Sequence, residues 1–158
     1  MKNESIIVCI PGKWQSIKEV AIGLATYPDY QLKGNMIFSR LDSNVYELHY
    51  EIRDETLKEA FEYAGSSKLL QEDIEVIENH NSVVYLIGKN RSLKGIQHMI
   101  KLIHTFISIG GLGVKIETTG NAVGRELWGH LTGVMDPIEI WNTFVSIVNV
   151  YYSKLYKG

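Results

Sequence analysis

A chain of 158 residues can fill one hydrophobic core but not two comfortable ones. Its 45% apolar and 22% charged residues exclude a disordered chain, and a net charge of −2 with scattered bases argues against nucleic-acid binding. The lone cysteine, Cys9, excludes an intramolecular disulfide.

The opening residues, Met1 to Ser5, lead into an apolar run, Ile6 to Ile10, that is too short for a signal peptide. The apolar region near the C-terminus is broken by Asn142, Ser146 and Asn149, which reads against a membrane span. These features predict one soluble, cytoplasmic domain over 1–158, with no membrane or nucleic-acid partner, no metal and no cofactor.

Ile6 to Ile10 is apolar at every position, the mark of a central strand covered on both faces. Pro11-Gly12-Lys13-Trp14 is the turn after it. Ser16-Ile17-Lys18-Glu19 reads as a capping box, opening a helix with Ile17, Val20, Ala21 and Leu24 inward and Tyr27-Pro28-Asp29 at its end. Residues 36–41 and 45–53 form a hairpin about Asp42-Ser43-Asn44. In the second strand Tyr46, Leu48, Tyr50 and Ile52 alternate with Glu47, His49, Glu51 and Arg53, so it has one wet face and is placed toward an edge.

Asp54 caps a helix with Leu57, Ala60, Phe61 and Ala64 inward, closed by Gly65. A short helix over 69–79 follows. Ser82 to Ile87 is a second central strand. Ser92 caps a long helix whose stripe is Leu93, Ile96, Ile100, Ile103 and Ile107. Gly110 and Gly111 stop that helix, residues 112–118 alternate as a strand, and Thr118 to Asn121 is a polar turn. Val123, Leu127 and Leu131 align on the next helix.

Asp136-Pro137 opens the last helix. It carries one apolar stripe of Ile138, Trp141, Val145, Val148, Tyr152 and Leu155, and a second of Ile140, Phe144, Ile147 and Tyr151. That is more apolar surface than one core face requires, which suggests a homodimer through this helix. A strand over 144–152 is the alternative there.

Taken together, the elements predict an α/β fold. Its mixed five-stranded sheet has order 3-2-1-4-5, an antiparallel edge and flanking helices. A ferredoxin-like α+β sandwich with an added strand is the alternative. In the first arrangement the carboxyl ends of the central strands meet at a switch point. The loops there carry Lys13, Trp14, Lys89, Asn90, Arg91, Thr118, Thr119 and Asn121, with Arg125 and Trp128 on the next helix. Cations, hydroxyls and helix N-termini in one crevice would suit a small anion, as in an enzyme or a sensor. Ordinary polar turns would look the same.

Charge is unevenly spread. Residues 47–78 hold ten acids against Arg53, Lys58 and Lys68, and residues 79–158 hold eight bases against four acids. The acidic segment reads either as solvated helix faces or as a surface for a basic protein, with Glu72, Asp73 and Glu75 as its contact residues. His49 lies between Glu47 and Glu51 on one strand face, a set able to do acid–base work. His80 and His130 read as helix-end residues. Gly111 and Gly113 precede a strand rather than follow one, and Gly88-Lys89 lacks a P-loop's spacing, so neither is a phosphate fingerprint. No Ser, Cys or Thr sits in a nucleophile motif. The leading expectation is therefore a non-enzymatic interaction module, similar in kind to immunity proteins.

Several stretches resemble the bacterial domain-of-unknown-function family 4261. They are Val8-Cys9-Ile10-Pro11-Gly12-Lys13-Trp14, His80-Asn81-Ser82-Val83-Val84-Tyr85-Leu86, and Gly110-Gly111-Leu112-Gly113-Val114-Lys115-Ile116-Glu117, with Gly120-Asn121-Ala122 and Trp128. The resemblance implies a bacterial cytoplasmic protein with an α/β fold, and a further region after Tyr151-Tyr152-Ser153-Lys154-Leu155-Tyr156. It implies no activity.

Overall fold

The computed structural model describes residues 5–65 and 69–134, with the side chains of 131–134 left aside. The expected C-terminal helix and its dimer surface lie outside the described residues.

In chain order the elements are β1 (Ile6–Gly12), α1 (Ile17–Leu24), β2 (Tyr30–Lys33), β3 (Met36–Ser39), β4 (Val45–Ile52), α2 (Leu57–Ala64) and α3 (Gln71–Glu78). Then come β5 (Ser82–Gly88), α4 (Leu93–Ser108), β6 (Gly113–Ile116), β7 (Asn121–Gly124) and α5 (Arg125–Val134). The strands form one seven-stranded sheet of order β2-β3-β4-β5-β1-β6-β7. Every neighbouring pair in it is antiparallel.

This overturns the mixed five-stranded sheet of order 3-2-1-4-5. The ferredoxin-like alternative with one added strand differs in strand number, since seven are present. The split β-α-β unit of that fold, with an antiparallel strand between the two that the helix connects, is nonetheless what β5-α4-β6 forms around β1. The two apolar strands are central, as their composition requires, but they pair with each other antiparallel, Ile6 opposite Gly88 and Gly12 opposite Ser82. α1 does not return the chain beside β1. It crosses to the far edge, where β2, β3 and β4 step back toward β5. β5 and β6 run in the same direction on either side of β1, so the α4 crossover spans an intervening antiparallel strand.

Two strands were not anticipated. β2 pairs with β3 through Lys33 opposite Met36, leaving Gly34-Asn35 as a two-residue turn. Gly34 takes φ +61 there, a dihedral that glycine adopts freely. β7 occupies residues expected to begin a helix, since Val123 aligns with Leu127 and Leu131, yet Val123 stands opposite Val114 in the sheet. β4 is an interior strand, paired with both β3 and β5. Its wet face comes from incomplete cover: the second core cluster takes no residue from β4.

Alternation along the strands sorts the core into two layers. On one face Val8, Ile10, Leu48, Val84, Leu86, Val114 and Ile116 meet Val20 and Leu24 of α1, Ile100, Ile103 and Phe106 of α4, and Trp128 of α5. On the other, Cys9, Val83, Leu112 and Ala122 meet Leu57 and Phe61 of α2 and Ile77 of α3. α2 and α3 thus form a separate layer whose outward side is free to carry charge. No described helix is long and apolar enough to cross a membrane.

Candidate functional site

The antiparallel register decides the fate of the expected anion crevice. Lys13 and Trp14 follow the end of β1, whereas Lys89, Asn90 and Arg91 follow the end of β5, beside the start of β1. β1 has seven residues, which at ~3.4 Å each separates the two loops by about 20 Å. Thr118 and Thr119, after β6, lie at the same end as Lys89 to Arg91, with β1 between them. Asn121 begins β7 and is buried. Arg125 is exposed and follows Gly124 at the Lys13 end. A single crevice gathering these residues does not exist, because it required the carboxyl ends of parallel strands.

Trp14 and Trp128 are both structural. Trp128 is fully buried in the first core cluster. Trp14 is 3% exposed and closes the end of the sheet under the C-terminus of α4. Its indole Nε1 donates to the Ile109 carbonyl at 2.9 Å, and its ring meets Phe106 edge-on at 6.2 Å. Its own carbonyl accepts from Ser82 Oγ at 2.8 Å and from Tyr50 Oη at 3.3 Å. The Lys13 carbonyl likewise accepts from Asn81 Nδ2 at 3.0 Å, while the Lys13 side chain is exposed.

The acidic segment gives a more coherent surface. α2 and α3 bury Leu57, Phe61, Ile74 and Ile77. The helical period then turns Glu59, Glu62, Glu72 and Glu75 to solvent, all of them exposed. Lys58 pairs with Glu78 at 3.3 Å and Arg53 with Glu55 at 2.7 Å, but Glu72 and Glu75 make no ion pair with a described residue. In the same layer, Tyr63 is 92% exposed and Leu70 is 58% exposed.

Asp73 differs from its two neighbours. Its Oδ2 accepts from the Leu70 backbone N–H at 3.0 Å, closing the first turn of α3. The carboxylate also lies against Gly124 of β7, where a Cβ would come within 2.4 Å of it. Asp73 therefore joins helix to sheet, and Glu72 and Glu75 carry the outward charge.

The remaining titratable groups divide clearly. His49 Nε2 lies 3.1 Å from Glu47 Oε2, and both side chains are substantially exposed. His80 is 2% exposed and fully engaged. Its Nε2 accepts from the Asp54 backbone N–H at 3.1 Å, so the proton resides on Nδ1, which donates to the Ile77 carbonyl at 2.7 Å. Burial first, then the nearby Arg53 guanidinium, hold its pKa below the ordinary value, although the Ile77 carbonyl opposes them. Burial pushes the Cys9 thiol up to about 12, helped by Glu117, so it is an inert core residue. Among the described residues no cluster of three or more His, Cys, Asp or Glu could hold a metal ion.

One polar cluster was not anticipated. The β3–β4 turn and the β5–α4 turn meet at one end of the sheet. Asp42 accepts from Asn44 N at 2.9 Å and from Asn44 Nδ2 at 2.7 Å, and faces His98 Nδ1 at 3.4 Å. Both turns are legible in the sequence, but their meeting depends on β4 lying beside β5.

No family model, curated protein or solved structure matches this chain. The resemblance to family 4261 therefore stands on the quoted motifs alone.

Proposed function

We propose that this protein is an interaction module that binds a basic protein partner through the outward side of α2 and α3. The observation that carries the reading is Tyr63, 92% exposed on a helix that also exposes Glu59 and Glu62, with α3 exposing Glu72 and Glu75. A large exposed aromatic in a helical layer that also exposes carboxylates combines an anchor with a charge filter. Tyrosine buries much area at little entropic cost, and unpaired surface carboxylates steer a cationic partner. A protective partner of a basic protein, as immunity proteins are, would need such a face.

Glu72→Lys with Glu75→Lys tests the proposal, because both side chains are exposed. Asp73 stays intact. Capture of a partner from cell lysate is expected to fail for the double variant and for Tyr63→Ala, while circular dichroism stays unchanged. Undiminished capture by both variants would remove this face from the account.

A further inference from the structure

His80 joins three elements: it sits between α3 and β5, and its ring reaches the entry to α2. Only 2% of it is exposed. Nε2 accepts from the Asp54 backbone N–H at 3.1 Å, and Nδ1 donates to the Ile77 carbonyl at 2.7 Å. The Asp54 contact requires a neutral ring. A doubly protonated imidazole has two donors and no acceptor, so Nε2–H would face the Asp54 N–H and leave both without a partner. The second proton thus turns an attraction into a repulsion at one identifiable atom.

Charged neighbours bear on that proton from every side. Arg53, just after β4, has Nη1 3.4 Å from His80 Nδ1 and opposes an imidazolium, whereas Asp54 and Glu55 favour one. Across α2 and α3, Lys58 and Glu78 hold each other at 3.3 Å. Burial is the largest influence, so the folded ring resists a proton that the opened chain accepts. Arg53 Nη1 also donates to the Glu78 and His80 carbonyls, each at 2.7 Å, so the same few residues fasten this end of the helical layer. The start of α3 has a separate fastening in Asp73, against Gly124.

We propose that His80 is an acid-sensitive latch: a second ring proton, at Nε2, loosens the entry of α2 from the exit of α3 while the sheet stays paired. Local opening of this kind draws on one contact set rather than on the whole core. Its use as a regulator rests on the reading of the outward side of α2 and α3 as a partner face, because loosening α2 disturbs the helix that presents Tyr63. The latch itself does not depend on that reading.

The test is amide hydrogen exchange of the whole chain, corrected for the intrinsic pH dependence of exchange, with NMR titration of the assigned His80 ring signals. From about pH 7 to about pH 5, opening of residues 54–60 and 74–80 should rise by up to about 25-fold, the limit for a group with an open-chain pKa of 6.5. Protection of β1 and β5 should not change. The rise should follow the titration of the His80 ring and be absent from His80→Phe. Should His80→Phe not fold, agreement of the two wild-type midpoints decides the matter. The latch is overturned by unchanged protection of the two segments at the lower pH, or by an equal loss in β1 and β5. It is also overturned by an acid response retained in His80→Phe, or by a ring midpoint that does not coincide with the rise. None of these measurements needs a partner, so failure of the latch and failure of the α2–α3 face in capture are read separately.

Discussion

Trp14 Nε1 and the Ile109 carbonyl, 95 residues apart in the chain, are joined by a hydrogen bond of 2.9 Å. It ties the turn after β1 to the end of α4 and seals one end of the first core layer. Neighbouring glycines make room for the indole: a Cβ on Gly12 would stand 2.0 Å from the ring, and one on Gly110, at φ +131, would stand 3.1 Å from Nε1. Trp14→Ala should therefore cost about 3–5 kcal/mol in urea unfolding, as large-to-small core changes do. Trp14→Phe keeps much of the volume but strands the Ile109 carbonyl, and should cost about 1–3 kcal/mol. A change within error of zero for Trp14→Ala would contradict the assignment of Trp14 to the core.

Helix starts offer a paired comparison. Ser92 Oγ accepts from the Gly95 backbone N–H at 3.0 Å. Ser16 makes no side-chain cap, and Glu19 Oε1 accepts from Gln15 N at 3.0 Å instead. The capping box expected at Ser16 is thus half formed and displaced by one residue. Ser92→Ala should cost about 1 kcal/mol, and Ser16→Ala no more than a few tenths. Equal costs in chemical denaturation would show that Ser16 caps α1 in solution.

Asp73 and Gly124 should behave as a coupled pair. Gly124→Ala pushes the Asp73 carboxylate off the Leu70 N–H, so it should destabilise by about 1 kcal/mol, as should Asp73→Ala. Once Asp73 is gone, adding Gly124→Ala should cost much less. A double-mutant cycle with strictly additive losses would contradict the contact.

The pH dependence of stability should carry the mark of His80, whose folded pKa is lowered from 6.5. Above that value neither state is protonated and the residue adds no slope. Below it the unfolded chain takes up a proton that the folded imidazole refuses, so stability falls until the folded pKa is passed. Asp54, lowered from 3.8 chiefly by its hydrogen bonds to Thr56, adds a loss at lower pH. His80→Phe should be less stable at about pH 8 by about 1–3 kcal/mol, because Asp54 N and the Ile77 carbonyl lose their partner. It should also lose less stability than the wild type between about pH 7 and about pH 5. An unchanged acid slope would contradict the assignment.

Ile6 to Ile10 and Ser82 to Ile87 announce buried central strands through continuous apolarity, and both are central. Their relative direction is not encoded in that pattern, because a strand covered on both faces looks alike in parallel and antiparallel company. The error in direction split the proposed anion crevice, placing Lys13 and Lys89 at opposite ends of the sheet. Gly34-Asn35 was a hairpin signal between two short alternating runs and would have revealed β2. Val123 shows the opposite failure: its helical spacing to Leu127 was accidental, and pairing with Val114 prevailed. The acidic character of Glu72, Asp73 and Glu75 was legible, but the contact of Asp73 with Gly124 was not, since 51 positions separate them in the chain.

The most direct test of the central claim is the affinity of a purified captured partner for the wild type, for Glu72→Lys with Glu75→Lys, and for Lys89→Ala, each measured at low and high salt. The account predicts that the charge-reversed variant binds more than about tenfold more weakly, that added salt narrows the difference, and that Lys89→Ala binds as the wild type does. Equal affinity for the wild type and the charge-reversed variant at low salt would contradict it.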